Sequence, residues 1–297
     1  MSLADVISLE RVLPSEETPV GYLLRLSRPR FWLYLAGPVV VGVTFAADGV
    51  AELFSPLALV LFGYFLLPAN VYLYGINDVF DRDVDAENPK KEGREVRYEG
   101  SRLVLAVVAL SGLAGLALVP FFALRGQYGA AFVVLLYLFL ATEYSAPPLR
   151  FKTTPFFDSI SNGLYILPGV IAWTAIEGSL PPMGAIAGGW LWTMGMHTFS
   201  AIPDIGPDRE AGIRTTATEL GEFDTYLYCA ATWLLAAAVF VTVHPFFTVL
   251  LLLYPLLVFG IVFSDVDVND AYWWYPVINT LTGMVITMAG LWVLLYG

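Results

Sequence analysis

The sequence predicts an all-α, polytopic membrane protein of about nine transmembrane helices. Three observations lead to that fold class. The chain of 297 residues is 58% hydrophobic, with a mean hydropathy of +0.69. Apolar runs at 28–47, 56–76, 102–122, 128–146, 157–177, 183–201, 226–244, 246–264 and 273–296 are each about long enough to cross a hydrocarbon core of ~30 Å. Of the 15 Lys and Arg, all but Arg125 fall in the N-terminal arm, at the entrance to the first run, or in alternate interhelical segments. Such asymmetry places the N terminus in the cytoplasm and the C terminus outside the cell membrane.

Residues 1–27 read as a polar, acidic cytoplasmic arm, without the basic start and apolar centre of a cleavable signal peptide. Arg28 stands at the entrance to the first run. The second run carries Asn70, Tyr74, Asn77 and Asp81 at i, i+4, i+7 and i+11, a polar stripe along one helix face. It passes directly into Asn77-Asp78-Val79-Phe80-Asp81-Arg82-Asp83-Val84-Asp85. Asn77, Asp81 and Asp85 there share a face, with Asp78 about a quarter-turn away. Such a stripe at a membrane boundary is costly unless something cationic neutralises it. The segment 77–101 reads as a functional loop or a short cytoplasmic helix.

The fourth run ends in Tyr144-Ser145-Ala146-Pro147-Pro148, followed by the cations Arg150 and Lys152. Asp158, Asn162 and Tyr165 form a second stripe on the fifth run. The polar residues of both stripes either line a cavity or tie helices together by hydrogen bonds. His197 closes the sixth run; with Pro203 interrupting the helix beyond it, a structural, hydrogen-bonded role is expected. Asp204-Ile205-Gly206-Pro207-Asp208 then repeats the i, i+4 carboxylate pair, with Arg214 just beyond. The single cysteine, Cys229, is expected to fill space, and His244 beside Pro245 to mark a turn. Asp265, Asp267 and Asp270 precede the ninth run without a basic neighbour, so eight or ten crossings are alternatives to nine.

Four crossings separate the two acidic motifs, which returns both to one membrane face. Two four-helix units would bring them together over a central cavity. The net charge of −11 and pI near 4.5 suit a protein working at high salt and argue against nucleic acid as a ligand. Carboxylates on two facing elements suit Mg²⁺, which is held by one or two carboxylates plus substrate phosphates. Mg²⁺ bridging to a diphosphate would stabilise its departure. Arg150, Lys152, Arg214 and Arg28 would neutralise the rest of its charge, and an aromatic-rich cavity would shield the carbocation left behind. A calcium-loop reading of Asp81, Asp83, Asp85 and Glu92 fails at Ala86, where the turn requires glycine. A transporter is the alternative of a different class, but the acids gather at one face without a charged path across.

Asn77-Asp78-x-x-Asp81-x-x-x-Asp85 resembles the first aspartate-rich motif of the UbiA superfamily of intramembrane prenyltransferases. Asp204-x-x-x-Asp208-x-x-x-Gly212, followed by Arg214-Thr215-Thr216-Ala217-Thr218, resembles the second. The run from Tyr144 to Lys152 resembles the basic loop between the fourth and fifth helices, although Pro148 departs from the shorter Tyr-x-x-x-Lys pattern of some members. The resemblance extends over essentially the whole chain, with residues 28–297 as one prenyltransferase domain. It implies a helical bundle around a lipid-open cavity, Mg²⁺-dependent ionisation of an allylic diphosphate, and alkylation of an apolar acceptor. By position, Asn77, Asp81, Asp85, Asp204 and Asp208 would hold the Mg²⁺–diphosphate, with Asp78 supporting them. Asp78, Asp81 and Asp204 would be catalytic, Arg150, Lys152, Arg214 and Arg28 would meet phosphate, and Asn70, Tyr74, Tyr144, Asp158 and Asn162 would line the cavity.

Asn70 to Asp81, with Asn88-Pro89-Lys90-Lys91, is most similar to the carotenoid-elongating branch, which includes lycopene elongases. That resemblance implies dimethylallyl diphosphate as donor, lycopene as acceptor, and a tertiary cation that water captures, with Asp78 as a candidate base. A geranylgeranylglyceryl phosphate, a quinone precursor and a chlorophyllide are the alternative acceptors.

Overall fold

The computed structural model describes residues 13–81, 100–264 and 266–297, which contain helices and no β-strand. Its helices are α1 (Pro19–Leu26), α2 (Trp32–Ala46), α3 (Val50–Leu53), α4 (Pro56–Leu66), α5 (Pro68–Phe80), α6 (Arg102–Ala123), α7 (Tyr128–Glu143) and α8 (Phe157–Ile160). They continue as α9 (Leu167–Glu177), α10 (Met183–Ser200), α11 (Ile205–Glu210), α12 (Thr216–Leu220), α13 (Glu222–Phe240), α14 (Pro245–Leu251), α15 (Leu253–Val262) and α16 (Val268–Tyr296).

Among the described residues, seven stretches are long and apolar enough to cross a membrane: Pro29–Ala46, Val50–Phe80, Arg102–Ala123, Phe157–Glu177, Glu222–Phe240, Pro245–Val262 and Val268–Tyr296. The expected count of about nine is therefore not reached on this measure. The other two predicted runs are helical as well. However, α7 has only 16 residues, and Gly184, Gly188, Gly189, Gly195 and His197 dilute the apolarity of α10. Leu110, Phe132, Val249 and Leu256 are each more than 60% exposed on the outer surface of the bundle. In water so much apolar surface would drive aggregation; against lipid it is the ordinary boundary of a membrane protein.

Proline and glycine shape the bundle locally. Pro68 interrupts the Val50–Phe80 stretch because it cannot donate to the carbonyl one turn earlier. The Asn70 amide donates instead to the carbonyls of Phe65 (2.9 Å) and Leu66 (3.0 Å), the partners that a lipid interior would deny them. Gly42 on α2 and Gly169 on α9 let two helix backbones touch, since a Cβ added at Gly42 would lie 2.3 Å from the Gly169 carbonyl oxygen. Small residues at such crossings permit the close packing on which membrane helices depend. On α10, Gly195 likewise admits the Trp233 ring of α13.

The buried side chains form two main cores. Leu35, Phe65, Tyr137 and Ile171 belong to the first, built from α2, α4, α5, α7 and α9. Phe199, Trp233, Tyr254 and Tyr275 belong to the second, where Phe199 stacks on Tyr275 at 4.3 Å between ring centroids. A cavity of about 710 Å³ draws its walls from both.

Candidate functional site

Asn77, Asp78 and Asp81 lie at the C-terminal end of α5. Arg150 donates to one Asp81 carboxylate oxygen at 3.0 Å, and Lys152 donates to the other. The Lys152 ammonium also reaches Asn77 Oδ1 at 3.1 Å, and Ser145 Oγ donates to the same oxygen at 2.9 Å. Asp78 is buried and ion-paired to Arg28 at 3.2 Å. Arg28 and Arg150 both take left-handed backbone, φ 50° and 42°, each just before a single 3₁₀ turn. Such backbone is unfavourable for a side chain bearing a Cβ, and here it occurs at two of the cations that meet the first motif. Asp85 lies outside the described residues.

The second motif continues from α10 through the 3₁₀ turn Ile202–Asp204 into α11, which carries Asp208 in its first turn. Pro203 is accommodated at the start of that turn, so His197 and Asp204 do not share one continuous α-helix. Asn77 and Ser200, each four residues before the Asp81 or Asp204 of its motif, both line the cavity. Asn77 of the first motif and Ser200, just before the second, thus border one space.

Three expected site residues do not line this cavity in the structure. Asp158 does not border the cavity; it is buried, accepting from the Thr216 backbone N–H at 2.9 Å and from the Thr216 hydroxyl. Those bonds satisfy the exposed amide at the start of α12, as a capping carboxylate does. Asn70 is also absent from the cavity wall, because its amide is committed to the break before Pro68. Arg214 pairs with Glu219 at 2.9 Å, with 69% of its side chain exposed, and does not join Arg150 and Lys152.

Tyr74, Tyr144 and Asn162 do line the cavity, with Arg28, Asn77, His197 and Ser200 marking its polar end. Farther in, the walls are apolar and aromatic, among them Phe31, Trp173, Phe240 and Phe247. Leu33, Met284 and Met288 border the cavity and are each at least 46% exposed, which places an apolar opening along α2 and α16. Sequence reasoning missed Ser145 as a partner of Asn77, although it stands inside the Tyr144–Lys152 motif. It also missed Asn279, which bonds Tyr34 and Tyr254 from within a long apolar run that carries no such signal.

Donor chemistry agrees with Mg²⁺ and a diphosphate. Both motifs offer hard oxygen ligands, and Arg150 keeps a buried Nε with no hydrogen-bond partner among the described residues. Among those residues no group of three or more His, Cys, Asp and Glu converges, so they do not form a closed protein cage. A metal that shares its ligands with substrate phosphate needs none.

The UbiA prenyltransferase family matches residues 35–275 of the chain. A lycopene elongase/hydratase from Haloarcula japonica is 64% identical over 97% of each chain. One from Halobacterium salinarum is 62% identical over 93% of this chain and 99% of its own. Among solved structures, a UbiA homologue from Archaeoglobus fulgidus bound to DMAPP and Mg²⁺ superposes with a TM-score of 0.69 at 22% identity, covering 91% of this chain and 99% of that one.

Proposed function

The chain belongs to the UbiA prenyltransferase family, and from that premise we propose that it transfers a dimethylallyl group from its diphosphate to the end of lycopene, with water added to the product. The choice of acceptor rests chiefly on the 64% identity, across nearly the full length of both chains, to a lycopene elongase/hydratase. The geometry supports the reaction class: acids and cations gather at one end of an aromatic cavity whose apolar opening suits a membrane-dissolved chain.

Asn77, Asp81, Asp204 and Asp208 would hold Mg²⁺, which when bound neutralises the diphosphate and makes it a better leaving group. Arg150 and Lys152, paired with Asp81 in this structure, turn to phosphate oxygens when the donor is present. Arg28, held by buried Asp78, keeps a cation at the cavity mouth. Aromatic walls keep bulk water from the allylic cation and favour its positive charge. The lycopene terminal double bond then attacks, leaving a tertiary cation for water to capture. Residues 28–297 form the prenyltransferase domain of this proposal, with both motifs on the cytoplasmic face and the relatives' halophilic setting matching the acidic composition.

Separate incubations with labelled dimethylallyl diphosphate, Mg²⁺ and either lycopene, a geranylgeranylglyceryl phosphate or a quinone precursor test the assignment. Mass analysis should find one C5 increment per processed lycopene end, together with oxygen from the solvent. Prenylation of a polar acceptor with lycopene untouched would replace the acceptor and leave the prenyltransferase chemistry in place.

A further inference from the structure

Water capture of a tertiary cation produces a protonated alcohol, and a base must remove that proton. The described residues that line the cavity include no Asp, Glu or Lys. Asp78, the base expected from sequence, is ion-paired to Arg28, and Asp158 is held by Thr216 outside the wall. The basic side chains on the wall are Arg28 and His197. A guanidinium does not give up its proton under these conditions, so it cannot serve as the acceptor. An imidazole can.

His197 Nε2 lies 3.3 Å from the Tyr144 hydroxyl, with the two rings edge to face at 5.8 Å. Both residues line the polar end of the cavity, alongside Asn77 of the first motif and Asn162. A cation formed at the metal–diphosphate end would therefore arise beside this pair. His197 thus both meets Tyr144 and borders the open space.

We propose that the Tyr144–His197 pair is the proton acceptor for water capture; the inference rests on the lycopene elongation and hydration reading above. A lone pair of the water oxygen forms the C–O bond to the tertiary carbon. One water O–H bond breaks, and its proton passes to the Tyr144 oxygen as the Tyr144 proton passes to His197 Nε2. Neutral tertiary alcohol and an imidazolium result. The diphosphate released earlier in the same turnover takes the proton and restores the imidazole. Without the pair, the cation loses a proton from a neighbouring carbon to diphosphate and ends as an alkene.

The full chain in lycopene-containing vesicles, given dimethylallyl diphosphate, Mg²⁺ and ¹⁸O-labelled water, tests this with wild type, His197→Gln, Tyr144→Phe and the double variant. The quantity read is the share of prenylated product that carries solvent oxygen, which does not depend on the overall rate. That share should fall by about tenfold or more in each single variant. The double variant should fall no further, because the two groups form one path. A wild-type share in either single variant, or losses that multiply in the double, overturns the assignment. Loss of all prenylation in both singles, with donor binding retained, also overturns it, since the pair would then serve ionisation. A wild-type product free of solvent oxygen removes the hydration reading itself, a result distinguishable from all of these.

Discussion

Asp81 sits at the end of α5 with Arg150 on one carboxylate oxygen and Lys152 on the other. On the proposed reading, replacing it by alanine removes an anionic ligand of the metal, and it leaves two cations without their shared carboxylate. On the same reading, Asp204→Ala removes the corresponding ligand from the second motif. Each variant should lose at least ~100-fold in transfer rate while inserting and folding normally, as shown by membrane fractionation and an unchanged thermal transition. Asparagine at either position should also be severe, because the site needs charge. Near-normal turnover in both alanine variants would take these carboxylates out of the mechanism. At this scale the sequence was legible where chemistry imposes a pattern: Asn77, Asp78 and Asp81 with Arg150 and Lys152 form one cluster. It was less legible where a polar side chain serves either a cavity or a backbone. Asn70 and Asp158 have the helical spacing of cavity residues, yet each satisfies an amide or carbonyl exposed by a nearby break or helix start. Periodicity does not distinguish these roles, because both place the residue on an inward face.

At the scale of elements, the glycine contact between α2 and α9 sets how closely the first-core helices approach. A Cβ added at Gly42 meets the backbone of Gly169 rather than a side chain able to move aside. Gly42→Leu should therefore push the helices apart and destabilise the fold by about 1–3 kcal/mol, measured as a lowered thermal midpoint in detergent. An unchanged midpoint would show that the crossing relaxes freely. Apolar runs located the helices well, since length and hydropathy are what a bilayer selects. They located breaks less well. The 3₁₀ stretch Ser161–Ile166 lies in mid-span, where Gly163 admits the Trp190 ring and the indole donates to the Ile160 carbonyl at 2.8 Å. Only the tertiary contact with α10 explains that irregularity. The same lack of context separates the expected nine crossings from the seven stretches that meet both length and apolarity.

At the scale of the whole molecule, two cores contribute the walls of one cavity, so the proposed reaction would place ionisation and the acceptor in different parts of one space. Gly283 on α16 lines that space, and a Cβ added there meets nothing within 4 Å. Gly283→Phe should fill the cavity without disturbing the fold. Transfer to acceptor per diphosphate released is expected to fall by about tenfold, read by measuring both products in one sample; an unchanged ratio would place the acceptor elsewhere. The cavity was expected from two motifs four crossings apart and from the family resemblance, but much of its wall was not, because it is assembled from residues remote in sequence, such as Tyr34 and Asn279. Prenyl transfer at the polar end is tested most directly by measuring released diphosphate and C5-extended carotenoid together, in vesicles holding the protein, lycopene, dimethylallyl diphosphate and Mg²⁺. The two should appear in a one-to-one ratio and both stop when the metal is chelated; diphosphate release without C5 incorporation, or incorporation that persists without a divalent metal, would contradict it.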